Sequence, residues 1–122
     1  MNFRRLIHSL HHAILGFVFV FRHEQNFRIQ LVAAAAVIVL AVALRVSAPD
    51  RIVLLLLIFA VLSLELLNSA IEWLVDIVKP RLHDQVARVK DIMAAAVLLV
   101  SACAAFVGLM IFWPYVVRFV SG

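Results

Sequence analysis

The chain has 122 residues, 66% of them hydrophobic, with a formal net charge of +4. Its mean hydropathy of +1.13 is beyond what a soluble domain of this size can hide in one core, so the bilayer must be its solvent. The placement of the basic residues follows membrane topology and does not point to nucleic acid.

Residues 2–23 read as an amphipathic surface helix. Leu6, Ile7, Leu10, Ile14, Phe17, Val18 and Phe21 recur every three or four positions, with Arg4, Arg5, His8, His11 and His12 on other faces. No small-residue cleavage site follows, so no signal peptide is expected there. The polar patch His23 to Gln30 leads into a first span over 28–46. Ser47-Ala48-Pro49-Asp50 forms a turn, with Asp50 a candidate cap for the second span, 52–72. That helix continues as a polar extension to Lys79-Pro80. A loop from Arg81 to Val89 is expected before a third span, 91–113, which opens at Lys90-Asp91. Each stretch can reach the roughly 17–25 residues that a span requires. The three prolines fall at segment ends, and Trp113-Pro114-Tyr115 reads as an interfacial belt. The fold expected is therefore all-α, one membrane domain over 1–122, because no strand alternation appears.

Three spans put the N-terminus and the second loop on one side. That side carries Arg4, Arg5, Arg22, Arg28, Lys79, Arg81, Arg88 and Lys90, leaving only Arg45, Arg51 and Arg118 opposite. The positive-inside rule then places the N-terminus in the cytoplasm. The lone Cys103 gives neither a disulfide nor a cysteine metal site. In the third span, Ser101/Ala105 and Ala104/Gly108 are small-xxx-small pairs that allow close helix approach. Polar groups at Glu65 and Asn68 would face lipid unless another helix covered them, which argues for an oligomer.

Glu65, Asn68, Glu72 and Asp76 fall within an arc of about 80° on one helix, and Glu65 and Glu72 stand roughly 10 Å apart along it. A mid-span charge costs roughly 2.5–3.5 kcal/mol on insertion scales, so an acid kept there calls for a task. A deep, desolvated carboxylate suits general-base work, and shallower ones are hard oxygen ligands suited to Mg²⁺. Glu24 enters the first span at the same level, and Lys90 offers a point charge for phosphate oxygens. These parts match the needs of phosphoryl transfer. The plainer alternative makes Glu65 and Asn68 interhelical glue and the remaining charges a solvated collar. The histidines lack the opposed geometry of a metal site, and no soluble nucleotide signature is present.

The string Glu65-Leu66-Leu67-Asn68-Ser69-Ala70-Ile71-Glu72, with Asp76 beyond it, and Lys90-Asp91 followed by Ala94-Ala95-Ala96-Val97 closely resemble the bacterial diacylglycerol kinase/undecaprenol kinase family. Glu24-Gln25-Asn26-Phe27-Arg28 resembles the family's N-terminal acidic motif. The likeness covers nearly the whole chain. It implies a homotrimeric kinase of the bacterial cytoplasmic membrane that uses ATP and Mg²⁺ to phosphorylate a lipid alcohol, in composite sites between subunits. By that resemblance Glu65 is the general base with Asn68 beside it, and Glu65 meets the lipid. Glu24 and Glu72 hold the nucleotide's metal, and Lys90 and Asp91 contact the nucleotide, as do His83 and Arg5. The chain departs from the better-known diacylglycerol kinases at His12, where they carry a tyrosine. The Glu24-x-Asn26-Phe27-Arg28-Ile29 segment and Leu64 to Asn68 look more like the family's undecaprenol kinases than its diacylglycerol kinases, which implies undecaprenol as acceptor by a slight margin. Two other classes remain to be distinguished: a small proton-coupled exporter and a non-catalytic membrane assembly subunit.

Overall fold

The computed structural model describes residues 1–78 and 83–122 and, at His83, the backbone alone. Four helices follow in order: α1 Phe3–His23, α2 Gln25–Ala43, α3 Ala48–Val78 and α4 His83–Ser121. No strand occurs among the described residues. Helices α2, α3 and α4 are each long and apolar enough to cross a membrane. The chain is thus an all-α membrane protein. α3 packs most extensively on α4 and next on α2, while α1 touches both α2 and α3.

A single extended residue, Glu24 (φ −111°, ψ 111°), separates α1 from α2. Its N–H donates to the Val20 carbonyl at 2.8 Å. Arg28 then reaches back, donating from Nη1 to the carbonyls of Phe21 at 2.8 Å and Arg22 at 3.1 Å. These are last-turn carbonyls that α1 leaves unpaired, and a cation suits the negative end of the helix dipole. Phe27, fully buried, plugs the inside of the elbow against Phe17. The elbow thereby fixes Glu24 beside the start of α2.

At its other end α2 closes with a Schellman motif. Val46 N–H donates to the Ala41 carbonyl and Arg45 N–H to the Val42 carbonyl, with Arg45 in the left-handed region at φ 53°. Ser47 then caps α3: its Oγ bonds Asp50, whose N–H faces the same oxygen at 3.5 Å. Asp50 is therefore a first-turn residue and Ser47 the cap, where the sequence suggested Asp50. Pro49 sits in the first turn, where a missing N–H costs nothing. Tyr115 on α4 donates to Asp50 Oδ2 at 2.7 Å and accepts from Ser47 N–H at 3.0 Å, clamping the turn. Tyr115 packs against a buried apolar cluster, Ala41, Val46, Leu54 and Phe112.

α4 differs from expectation at both ends. It begins at His83, so most of the expected loop is helix. The reason is local: His83 to Lys90 contains neither glycine nor proline, Asp84 suits the first turn, and Val86 is buried. Lys79 and Arg81, the rest of the expected basic connection, lie outside the described residues. α4 also runs through Pro114 to Ser121, although proline removes the N–H that would bond one turn back. The Tyr115 clamp follows one residue later.

Candidate active site

The polar face of α3 climbs from a buried to an exposed end. Glu65 retains 1% of its surface exposure, Asn68 and Glu72 are half-buried, and Asp76 is exposed. A carboxylate so enclosed needs a partner. Gln30 of α2 supplies it, with Nε2 donating to Glu65 Oε2 at 3.3 Å. Asn68 Nδ2 donates to Glu72 Oε1, also at 3.3 Å, as helical neighbours four apart can. The elbow brings Glu24 within coulombic reach of Glu65, as α3 itself does Glu72. Three carboxylates from two parts of the chain thus share one electrostatic neighbourhood.

The burial of Glu65 corrects one expectation. The sequence suggested that Glu65 would face lipid without a second copy, yet the single chain encloses it. Gln30 was not foreseen as a site residue. Its signal is faint: it closes a polar patch and precedes thirteen apolar residues, Leu31 to Ala43. Ser69 is equally buried, with an Oγ that has no hydrogen-bond partner among the described residues. It lines a cavity of about 450 Å³ between α1 and α3, together with Gly16, Phe17 and Trp73.

Lys90 enters this neighbourhood from α4. Its Nζ pairs with Asp76 Oδ1 at 2.9 Å and feels the charge of Glu72. Both partners are substantially exposed, so the pair can open to a competing anion. Asp91 follows on the same helix, exposed, and among the described residues no hydrogen bond or ion pair ties it to the acids. Arg5 stands nineteen residues before Glu24, about 28 Å along α1, and is not brought to the acids within one chain. His83 opens α4, and its side chain lies outside the described residues.

The donor set decides what such a site can hold. Carboxylate oxygens suit a hard cation, and Mg²⁺ characteristically takes only one or two protein carboxylates, filling its other positions with phosphates and water. Among the described residues no group of three or more acidic, histidine or cysteine side chains forms a metal cage. Carboxylates that share one electrostatic neighbourhood without forming a cage fit a metal brought in with phosphate. A lysine near them suits phosphate oxygens, and a buried carboxylate suits a hydroxyl proton.

The sequence model of the family described as prokaryotic diacylglycerol kinase matches residues 11–112. The undecaprenol kinase of Bacillus subtilis (strain 168) is 36% identical over 110 residues, covering 90% of this chain and 89% of that protein. The diacylglycerol kinase of Escherichia coli (strain K12) is 32% identical over 114 residues, 93% of each chain. The diacylglycerol kinase of Synechocystis sp. is 38% identical over 104 residues, 84% of this chain and 59% of that protein. The α3 and α4 positions Glu65, Asn68, Glu72, Asp76, His83, Lys90 and Asp91, and Glu24 before them, fall inside the matched span, and Arg5 lies outside it. With three apolar helices, a buried carboxylate on one of them and a family match over most of its length, the chain belongs to the prokaryotic diacylglycerol kinase family and is a membrane lipid kinase, a phosphotransferase with an alcohol acceptor.

Proposed function

We propose that this kinase is ATP- and Mg²⁺-dependent and transfers the γ-phosphoryl group directly to the hydroxyl of a membrane lipid. The observation that carries the reading is Glu65, buried to 1% exposure in a span yet held by Gln30 and flanked by the charges of Glu24 and Glu72. Glu65 takes the proton as the acceptor oxygen bonds to the γ-phosphorus, while the bond from that phosphorus to the bridging oxygen breaks and ADP departs. Asn68 holds Glu72 in place and stands one turn from the base. Lys90 exchanges Asp76 for phosphate oxygens, and Asp91, His83 and Arg5 complete the nucleotide contacts that the family resemblance implies. Glu24 and Glu72 are the residues that would hold Mg²⁺, whose chemistry there is to neutralise charge on the phosphates.

The assembly proposed is a homotrimer with sites shared between subunits. The 28 Å or so between Arg5 and Glu24 along α1 supports this, since a neighbouring copy can supply what one chain holds far away. The setting proposed is the bacterial cytoplasmic membrane with the N-terminus inside, supported by the bias in basic residues. Of the two acceptors, the resemblance of the Glu24-to-Ile29 and Leu64-to-Asn68 segments to undecaprenol kinases supports undecaprenol. Both lipids present a primary hydroxyl at headgroup level, so the base itself does not discriminate. Purified protein offered γ-labelled ATP with undecaprenol and diacylglycerol side by side should label at least one lipid, with undecaprenol preferred. Label in neither, with Mg²⁺ present, would overturn the reading.

A further inference from the structure

Gln30 is the polar side chain beside the base that the kinase reading leaves without a task. It opens an otherwise unbroken apolar stretch of α2. Its Nε2 donates to Glu65 Oε2, the one side-chain hydrogen bond that Glu65 receives among the described residues. Its own Oε1 is buried, with no partner among the described residues. A buried amide satisfied at one end only is a poor way to join two helices, because the bond gained is set against the desolvation of the other atom. An apolar side chain of equal length would hold α2 to α3 as well, but would leave the enclosed Glu65 carboxylate without its donor. What the amide provides is a donor that orients this carboxylate.

The carboxylate torsion of a glutamate is broad and roughly two-fold, so an unheld carboxylate samples many directions. Gln30 narrows that freedom by holding Oε2 at 3.3 Å, which leaves Oε1 of Glu65 as the oxygen free to receive a proton. Gln30 also lines a cavity of about 350 Å³ between α2, α3 and α4, whose remaining lining is apolar except for Ser101. Among the described residues no other side chain donates a hydrogen bond to this carboxylate. Small misplacements of a catalytic group cost rate far out of proportion to their size.

We infer that Gln30 is a positioning residue for phosphoryl transfer, setting the direction in which Glu65 presents its free oxygen to the lipid hydroxyl. The inference rests on the reading of Glu65 as the base, so the two are tested together on the full-length protein in detergent. Gln30→Met keeps the length and removes the donor. Assayed well below its melting range, it should show kcat lowered about tenfold or more and a KM for ATP within about twofold of wild type. Wild-type kcat in Gln30→Met, or a loss of kcat that merely tracks a fall in melting temperature, overturns the inference. Glu65→Gln separates the two failures. If Glu65→Gln retains full activity, the base assignment falls and the inference with it. If Glu65→Gln is inactive while Gln30→Met is fully active, only the role of Gln30 is refuted.

Discussion

Removing one oxygen from Tyr115 should destabilise the protein without touching its chemistry. The hydroxyl makes two hydrogen bonds across 65 or more residues of sequence, one to the Asp50 carboxylate at 2.7 Å and one from Ser47 N–H at 3.0 Å. A bond to a charged group contributes about 1.5–3 kcal/mol and a neutral one about 0.5–1.5. Ser47 is exposed and Asp50 and Tyr115 only half-buried, so water replaces part of both. That leaves a net loss of about 1–2 kcal/mol for Tyr115→Phe. For a chain of this size such a loss lowers the melting temperature by roughly 3–10 °C, readable by circular dichroism in detergent. Asp50 precedes Glu65 by fifteen residues on α3, about 22 Å along the axis. kcat measured well below the melting range should therefore stay at the wild-type value. An unchanged melting temperature would refute the clamp, and a fall in kcat at unchanged stability would refute its separation from the site.

Three further outcomes follow from the same geometry. Glu72→Gln should shift the Mg²⁺ titration of the kinase reaction to higher concentration, and an unchanged titration would count against Glu72 as a metal ligand. Arg45→Gly should raise stability by about 0.5–1 kcal/mol, since Arg45 occupies a left-handed backbone position at φ 53° where glycine carries no Cβ penalty. A lower melting temperature would contradict that. Mixing Glu65→Gln subunits with Arg5→Ala subunits should restore part of the activity if sites are shared between copies, and a mixture as inactive as its components would argue against shared sites.

What could be read from the sequence was what repeats locally. Apolar length gave the three spans, the three-and-four spacing of Leu6 to Phe21 gave the surface helix, and helical spacing put Glu65, Asn68 and Glu72 on one face. Pairings between distant positions were not readable. Gln30 meets Glu65 only because the Glu24 elbow and the Arg45 turn fix the register of α2 against α3, and no local pattern encodes that register. The Tyr115 clamp is hidden for the same reason, its residues looking like ordinary turn and belt positions. The early start of α4 was missed on other grounds. Polarity from Asp84 to Lys90 resembles a loop when the expected helix is sought by hydropathy, yet helix propensity and the buried Val86 carry the helix past the apolar boundary.

The central claim is that Glu65 is retained to remove a proton, and Glu65→Gln tests it most directly. The amide oxygen of the new side chain can still accept the bond from Gln30, so assembly and ATP binding should persist while the base is gone. General-base loss is expected to cost about 10²–10⁴-fold in rate. Single-turnover transfer of label from γ-labelled ATP to lipid should therefore fall by at least about a hundredfold, with bound ATP near the wild-type amount. Transfer at the wild-type rate would make Glu65 a structural residue and contradict the account.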